Sequence, residues 1–275
     1  MINLMLCAEY KDTYWHDKQF VIEEKLDGMR AYAVKTPLGV TLYSRDNNIL
    51  NGFDYITNEL KNSQGDAYII DGEIVPQGYM KMNHMECFEQ VSHINSHDNP
   101  GYCFVAFDII RMFQNNLGTY NERRSILKMV IDELVYTVLS DILYRGEDVK
   151  YIQKCIDWAA KNKKEGIVIK DSRSIYESKR SQSWQKLKTR STIDTKILKI
   201  NQGTGKYIDS CGSISVEAKH PNGTMVVFQC GTGLSDDIRD FFWNTRKKLI
   251  GMTVEIYHSG WTRNAVRHPV FKTLK

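Results

Sequence analysis

The sequence has no apolar run long enough to span a bilayer, no internal repeat and no low-complexity tract, which sets aside membrane-spanning, solenoid and disordered classes. Its first residues, "MINLMLCA", form a short apolar stretch without a basic n-region and do not read as a signal peptide. The six cysteines (Cys7, Cys87, Cys103, Cys155, Cys211 and Cys230) are scattered, and no pair has metal-ligand or redox spacing. They read as reduced thiols in a cytosolic protein. His84, Cys87 and His93 in "MKMNHMECFEQVSH" are also poorly spaced for a metal. What remains is ordinary for a soluble globular chain: 42% hydrophobic and 25% charged residues, and a length of 275 that allows one large or two modest domains.

The net charge of +4 is mild but uneven. Residues 1–190 hold 25 Lys and Arg against 26 Asp and Glu, whereas residues 191–275 hold 12 against 7. Within the first part, residues 161–190 hold 10 basic and 3 acidic side chains. A basic zone beside a basic small domain suits a polyanion, although a solvated charged surface would look the same.

Strand-like runs dominate the first part. "QFVIEEKL", "MRAYAVKT", "GVTLYSR" and "AYIIDGEIV" combine β-branched and aromatic residues with turns between them. "YCFVAFDII" is continuously apolar and reads as a buried strand. Helices are expected at "FDYITNELKN", at "NERRSILKMVIDELVYTVL" with Asn121 as cap, and at "EDVKYIQKCIDWAAKNKK". "EGIVIKD" follows as a strand. A boundary is expected in the polar stretch 189–195. Beyond it lie "TKILKINQG", "CGSISVEAK", "TMVVFQCG" and "TVEIYHSG", interrupted by one helix with Ser235 as N-cap and Gly251 as C-cap. Short strands and one helix within about 80 residues fit a small Greek-key barrel of the oligonucleotide-binding type.

The chemistry centres on "EEKLDGMR", where Lys25 sits between carboxylates, just before an Asp-Gly turn and Arg30. Taken alone this is an ordinary hairpin edge. A nucleophilic lysine, however, must lose its proton, and nucleotidyl transfer needs further cations for phosphates and acids for metal ions. Such groups occur at other strand ends: Glu73 in "DGEIV", Glu165 opening "EGIVIK", Arg45 after "LYS", and Lys186 and Lys188 in "WQKLK", whose alternation places both on one strand face.

In order, "KLDGMR", "DGEIV", "FVAFDII", "EGIVIKD" and "WQKLK" resemble motifs I, III, IIIa, IV and V of the covalent nucleotidyltransferases, most closely the ATP-dependent DNA ligases. The resemblance covers nearly the whole chain. It implies an α+β fold: a nucleotidyltransferase (ATP-grasp-like) domain of antiparallel sheets with flanking helices over residues 1–190, then a small all-β OB-fold barrel over 191–275. It implies ATP and Mg²⁺ (or Mn²⁺) as cofactors, nicked duplex DNA as partner, no membrane, a monomer and a cytoplasmic location. Lys25 would attack the α-phosphorus of ATP. Glu23 would read the adenine edge, and Phe107 and Val168 would pack on its two faces. Arg30 would contact the ribose or an incoming phosphate, Glu73 the ribose hydroxyl or a metal, and Glu165 a metal. Lys186 and Lys188 would contact the α-phosphate, and Arg45 the 5′-phosphate of a nick. Phe107 and Val168 also read as plain core and Arg45 as surface. Asp27 and Gly28 read as turn formers, and Arg123, Arg124, Lys161, Lys163 and Lys164 as solvated helix charges.

"RNAVRHPVFKTLK" resembles the segment that leads into the family's motif VI, an R-x-D-K element, and the chain stops at Lys275 where that element would begin. Either Lys272 or Lys275 stands in for it, or the ATP step is slow, or the chain is truncated. The chain also starts directly at the catalytic domain, as a minimal ligase would. Three rivals remain: an mRNA capping guanylyltransferase, an RNA ligase and a non-catalytic nucleic-acid-binding module. Glu165 and "KLK" favour a ligase over a capping enzyme, and "VRHPVF" favours DNA over RNA ligases. NAD⁺ as donor is disfavoured by the absence of zinc cysteines and of an extra N-terminal domain.

Overall fold

The computed structural model describes residues 2–94, 101–112, 115–261 and 265–275. The backbone divides into two compact units, Met1–Thr189 and Arg190–Lys275. No helix among the described residues is long and apolar enough to cross a membrane.

In chain order the first unit contains β1 (Leu6–Glu9), β2 (Phe20–Glu24), β3 (Met29–Thr36), β4 (Gly39–Ser44), α1 (Asp54–Asn62), β5 (Tyr68–Pro76) and α2 (His84–Ser92). It continues with β6 (Tyr102–Met112), β7 (Asn115–Asn116), α3 (Tyr120–Val130), β8 (Thr137–Leu139), β9 (Ile142–Gly146), α4 (Lys150–Lys161), β10 (Gly166–Asp171) and β11 (Arg180–Lys188). Two sheets result. One has the order β1-β11-β10-β2-β9, and the other runs β4-β3-β5-β6-β7 with β8 added beside β6. Pairing is antiparallel except for β1 with β11 and β6 with β8.

Alternation along the strands separates a core face from a site face. On the second sheet Ile70, Ile74, Phe104 and Ile109 pack against Ile56 and Leu60 of α1 and Leu127 and Val130 of α3. On the first, Phe20, Ile22, Ile167 and Ile169 pack against Ile152 and Ala159 of α4 and against Trp15. The intervening residues of the same strands, Glu23, Val168 and Lys186, are register partners across β2, β10 and β11 and share the other face.

Several local expectations need correction. The helix expected over 121–139 stops at Val130, and its cap is Thr119 rather than Asn121. Thr119 accepts from Glu122 N, and Glu122 returns a bond to Thr119 N at 2.7 Å, a capping box. Glu133 then adopts φ 63, and "TVL", within a β-branched and aromatic stretch, pairs with β6 instead of continuing the helix. Arg123 and Arg124 are not solvated. Arg123 is 1% exposed, and its guanidinium grips both oxygens of Asp108, at 2.7 and 2.9 Å. Lys164 is buried as well and donates to the carbonyls of Tyr79, Met80 and Met82.

The second unit contains β12 (Ser191–Gln202), β13 (Cys211–Lys219), β14 (Met225–Cys230), α5 (Asp236–Leu249), β15 (Thr253–His258) and β16 (Val270–Leu274). They form an antiparallel sheet of order β14-β13-β12-β15-β16. Ile197, Ile214, Val216, Val254 and Ile256 pack with Phe242 and Leu249 of α5. Ser235 caps α5 by accepting from Ile238 N, as the sequence suggests; the C-cap is Ile250, and Gly251, expected there, is the residue after it at φ 84. A single parallel bridge, Thr232 with Val270, links the stretch beyond β14 to β16. Among the described residues the two edges share no continuous ladder, so the sheet is not a closed barrel.

Candidate active site

Lys25 follows the last residue of β2, and its backbone N–H donates to Gly166 O at 2.9 Å. Gly166 is required there, because a Cβ would meet Leu187 O at 2.2 Å. The Lys25 ammonium donates to Glu165 Oε2 at 2.5 Å, and Lys188 Nζ lies 2.8 Å from the other oxygen. Glu165 therefore bridges two of the predicted lysines. Burial pushes the Lys25 ammonium down, but Glu165, Glu73 and Asp27 outweigh it and hold the group above the ordinary lysine value.

Glu73 on β5 is the cross-strand partner of Arg30 on β3 and accepts from Gly28 N at 3.1 Å. Burial raises its carboxyl to about 7; Lys25 and Arg30 oppose the rise, and Glu165 adds to it. Gly28 is another close approach, since a Cβ there would sit 2.4 Å from Ile74 O.

A cleft of about 640 Å³ opens beside this cluster. Of the residues singled out from the sequence, Glu23, Lys25, Arg30, Arg45, Glu73, Phe107, Val168 and Lys186 line it; Glu165 and Lys188 sit behind Lys25 instead. Phe107 reaches the cleft through a β-bulge. Asp71 pairs with Asp108 and Gly72 with Ala106, which leaves Phe107 as the extra residue. Bulges re-aim side chains in this way. Lys186 forms an ion pair with Glu9 at 2.9 Å. Arg30 is held by both oxygens of Asp71, at 3.1 and 2.7 Å, and donates to Met5 O.

Sequence reasoning missed the partners of Glu23, one of which, Lys170, also lines the cleft. Glu23 is buried, and its carboxylate accepts from Tyr120, from Ser140 at 2.9 Å and from Lys170 at 2.9 Å, with Arg124 at 3.5 Å. Burial alone would raise its pKa, but Lys170, Arg124 and Tyr120 hold it below the usual carboxylate value. The Lys170 ammonium is 2% exposed and lies over the rings of Trp184 (4.3 Å), Phe107 (4.8 Å) and Tyr120 (5.1 Å). The available signal was Lys170's position in "EGIVIKD", two residues along the strand from Val168 and so on the same face.

No group of three His, Cys, Asp or Glu side chains that could hold a metal occurs among the described residues. Glu73 and Glu165, which both bear on Lys25, are the acids that could hold one. Two carboxylates suit Mg²⁺, which keeps waters and takes substrate phosphate oxygens as its other ligands. His84 pairs with Asp27. Lys272 and Lys275 pair with Glu255 (2.9 Å) and Asp194 (2.6 Å) within the second unit.

A family model described as the ATP dependent DNA ligase domain matches residues 5–188. The chain belongs to the ATP-dependent DNA ligase family. The match spans nearly all of the first unit, including Lys25 and every acid and lysine described around it. Among curated proteins, a DNA ligase of Methanococcus aeolicus is 26% identical over 250 residues, covering 85% of this chain and 43% of its own length. A probable DNA ligase of Streptomyces griseus is 25% identical over 286 residues, covering 92% and 54%. The chain thus spans about half the length of the curated relatives it matches. A solved structure from a structure–function study of Lig E DNA ligases aligns over 100% of both chains with a TM-score of 0.73 and 22% identity, a likeness of fold.

Proposed function

We propose that this member of the family is an ATP-dependent polynucleotide ligase that seals nicks with 5′-phosphate and 3′-hydroxyl ends in duplex DNA. Such nicks arise in replication, repair and recombination. The observation that carries the reading is Lys25 at the wall of a cleft, backed by Glu165 and Glu73 and flanked by Lys186 and Arg30. A lysine so placed can act as a nucleophile on phosphorus once it loses its proton.

The reaction has three in-line displacements. Lys25 Nζ attacks the α-phosphorus of ATP, its proton and pyrophosphate leave, and a lysyl-AMP phosphoramidate forms. The 5′-phosphate oxygen of the nick then attacks that phosphorus, which returns Lys25 and makes a DNA-adenylate. Finally the 3′-hydroxyl attacks the adenylated phosphate, and AMP leaves. Phe107 and Val168, from strands of different sheets, would pack on the two faces of adenine, with Glu23 near its edge. Lys186 and Lys188 would exchange Glu9 and Glu165 for the α-phosphate. Arg30 and Glu73 would contact the ribose, and Arg45 the 5′-phosphate of the nick. Mg²⁺ on Glu73 and Glu165 would supply positive charge to offset the phosphates. Positioning carries most of such catalysis.

The second unit is read as an OB-fold module, residues 191–275, that contacts the duplex backbone without sequence preference. Its five-stranded order and the Thr232–Val270 bridge between the edges support this. The protein is read as a cytoplasmic monomer.

The test is sealing of a singly nicked duplex with ATP and Mg²⁺, beside nicked RNA duplexes and beside GTP or NAD⁺ as donor. Sealing of the DNA nick with ATP supports the reading. Sealing confined to RNA strands, or to another donor, overturns it.

A further inference from the structure

Asp27 lies two residues after Lys25 in the turn between β2 and β3, and its side chain is 10% exposed. His84 Nδ1 lies 3.1 Å from Asp27 Oδ2. A carboxylate can only accept, so the imidazole donates from Nδ1. The imidazole is itself 14% exposed and is the first helical residue of α2.

Two independent fixings hold that residue. Asn83 caps α2 by accepting from Met85 N and Glu86 N, at 2.9 and 3.0 Å, and Glu86 returns a bond to Asn83 N at 2.9 Å. His84 N donates to Lys163 O at 2.9 Å, two residues before Glu165. The turn just ahead of α2 is held from the same side. The Lys164 ammonium donates to Tyr79, Met80 and Met82 carbonyls at 3.1, 3.0 and 2.9 Å, and lies 3.4 Å from Glu24 Oε1. Residues 79–84 therefore hold Asp27, two residues after Lys25, and Lys163 and Lys164, just before Glu165; Lys164 in turn pairs with Glu24, the residue before Lys25. The segment spans both halves of the Lys25–Glu165 pair without touching the cleft.

We propose that His84 is a positioning residue for Lys25, acting through Asp27 to hold the nucleophile's turn against the strand that carries Glu165. The assignment rests on the nucleotidyl-transfer reading of Lys25. It separates one step from the others, because Lys25 is the nucleophile only when AMP leaves ATP. A displaced turn slows that step and leaves ATP binding and later sealing alone. Misplacement of a reacting group by about 1 Å can cost roughly a hundredfold in rate.

The experiment measures three quantities on the whole chain: the single-turnover rate of AMP transfer to the protein at saturating ATP, the ATP concentration at half that rate, and the sealing of a pre-adenylated nick. In His84→Ala the first falls roughly ten- to a hundredfold, and the other two stay within about twofold. His84→Asn, whose amide N–H takes the place of Nδ1, restores most of the rate, whereas His84→Gln, which reaches with a longer arm, does not. Asp27→Asn combined with His84→Ala is no slower than Asp27→Asn alone, because His84 acts through Asp27. His84→Asn is compared with His84→Gln if the alanine variant does not fold. An unchanged transfer rate in His84→Ala, an equal loss in all three quantities, or rescue by Gln but not Asn overturns the assignment. Failure of the unaltered protein to accept AMP from ATP would instead overturn the nucleotidyl-transfer reading.

Discussion

The ammonium of Lys25 lies 2.5 Å from Glu165 Oε2, so the proposed nucleophile rests as one half of a partly buried ion pair. Lys188 occupies the other oxygen of the same carboxylate at 2.8 Å. Acids around Lys25 hold its proton on, and burial raises the carboxyl of one of them, Glu73, to about 7 although Lys25 opposes the rise. Substrate phosphates and a divalent cation would redistribute all of these charges at once.

Glu73 gives a pH signature. Its carboxyl titrates near 7 in the fold and at an ordinary 4.5 when unfolded. A raised carboxyl pKa means the native state holds the extra proton in that window, so stability is lost as pH rises from about 4.5 through about 7. At 1.36 kcal/mol per unit the loss is on the order of 3 kcal/mol. Glu73→Gln cannot ionise and escapes it. Urea unfolding at pH 5 and pH 8 should show the variant gaining on the unaltered protein at the higher pH. Parallel behaviour would contradict the assignment.

Arg123→Ala should destabilise the first unit by about 3–5 kcal/mol, because it strands Asp108 at zero exposure. Lys161→Ala, on the exposed end of α4, should stay within about 0.5 kcal/mol. Denaturant midpoints compare the two directly.

The contrast between those two residues shows what was legible from sequence. Strand and helix periodicity marks most of the elements, and the spacing of acids and lysines at strand ends marks the cluster at Lys25. Nothing local distinguishes Arg123 from Lys161: both are cations on amphipathic helices. Burial of Arg123 depends on Asp108, 15 residues earlier on a strand whose apolar run hides the acid. Lys170 and Tyr120 were missed for the same reason, since they meet Glu23 only through long-range pairing. The end of α3 at Val130 and the strand that follows were set by the edge β6 offered, a tertiary effect.

Phe107→Ala should raise the ATP concentration needed for AMP transfer. Base stacking on an aromatic ring contributes roughly 1–3 kcal/mol, about fivefold to a hundredfold in affinity. Fold stability should change less than for a core phenylalanine, because the bulge places this ring at the cleft. An unchanged ATP dependence would return Phe107 to a packing role.

Gly28→Ala should cost about 1–3 kcal/mol, because its Cβ meets Ile74 O at 2.4 Å and the Glu73 side chain at 2.8 Å. The same shift pushes Glu73 from its bond to Gly28 N. Thermal unfolding and AMP transfer should both fall. A variant of normal stability and activity would show that the turn can move aside.

The most direct test of the account is label transfer to protein. The unaltered chain and Lys25→Ala are incubated with Mg²⁺ and ATP, GTP or NAD⁺ labelled in the nucleotidyl phosphate, after removal of any AMP already bound. The account predicts acid-labile, base-stable label from ATP on the unaltered protein, as a phosphoramidate requires, and none on Lys25→Ala. Label on Lys25→Ala, label from GTP or NAD⁺ instead of ATP, or no label on folded protein would contradict it.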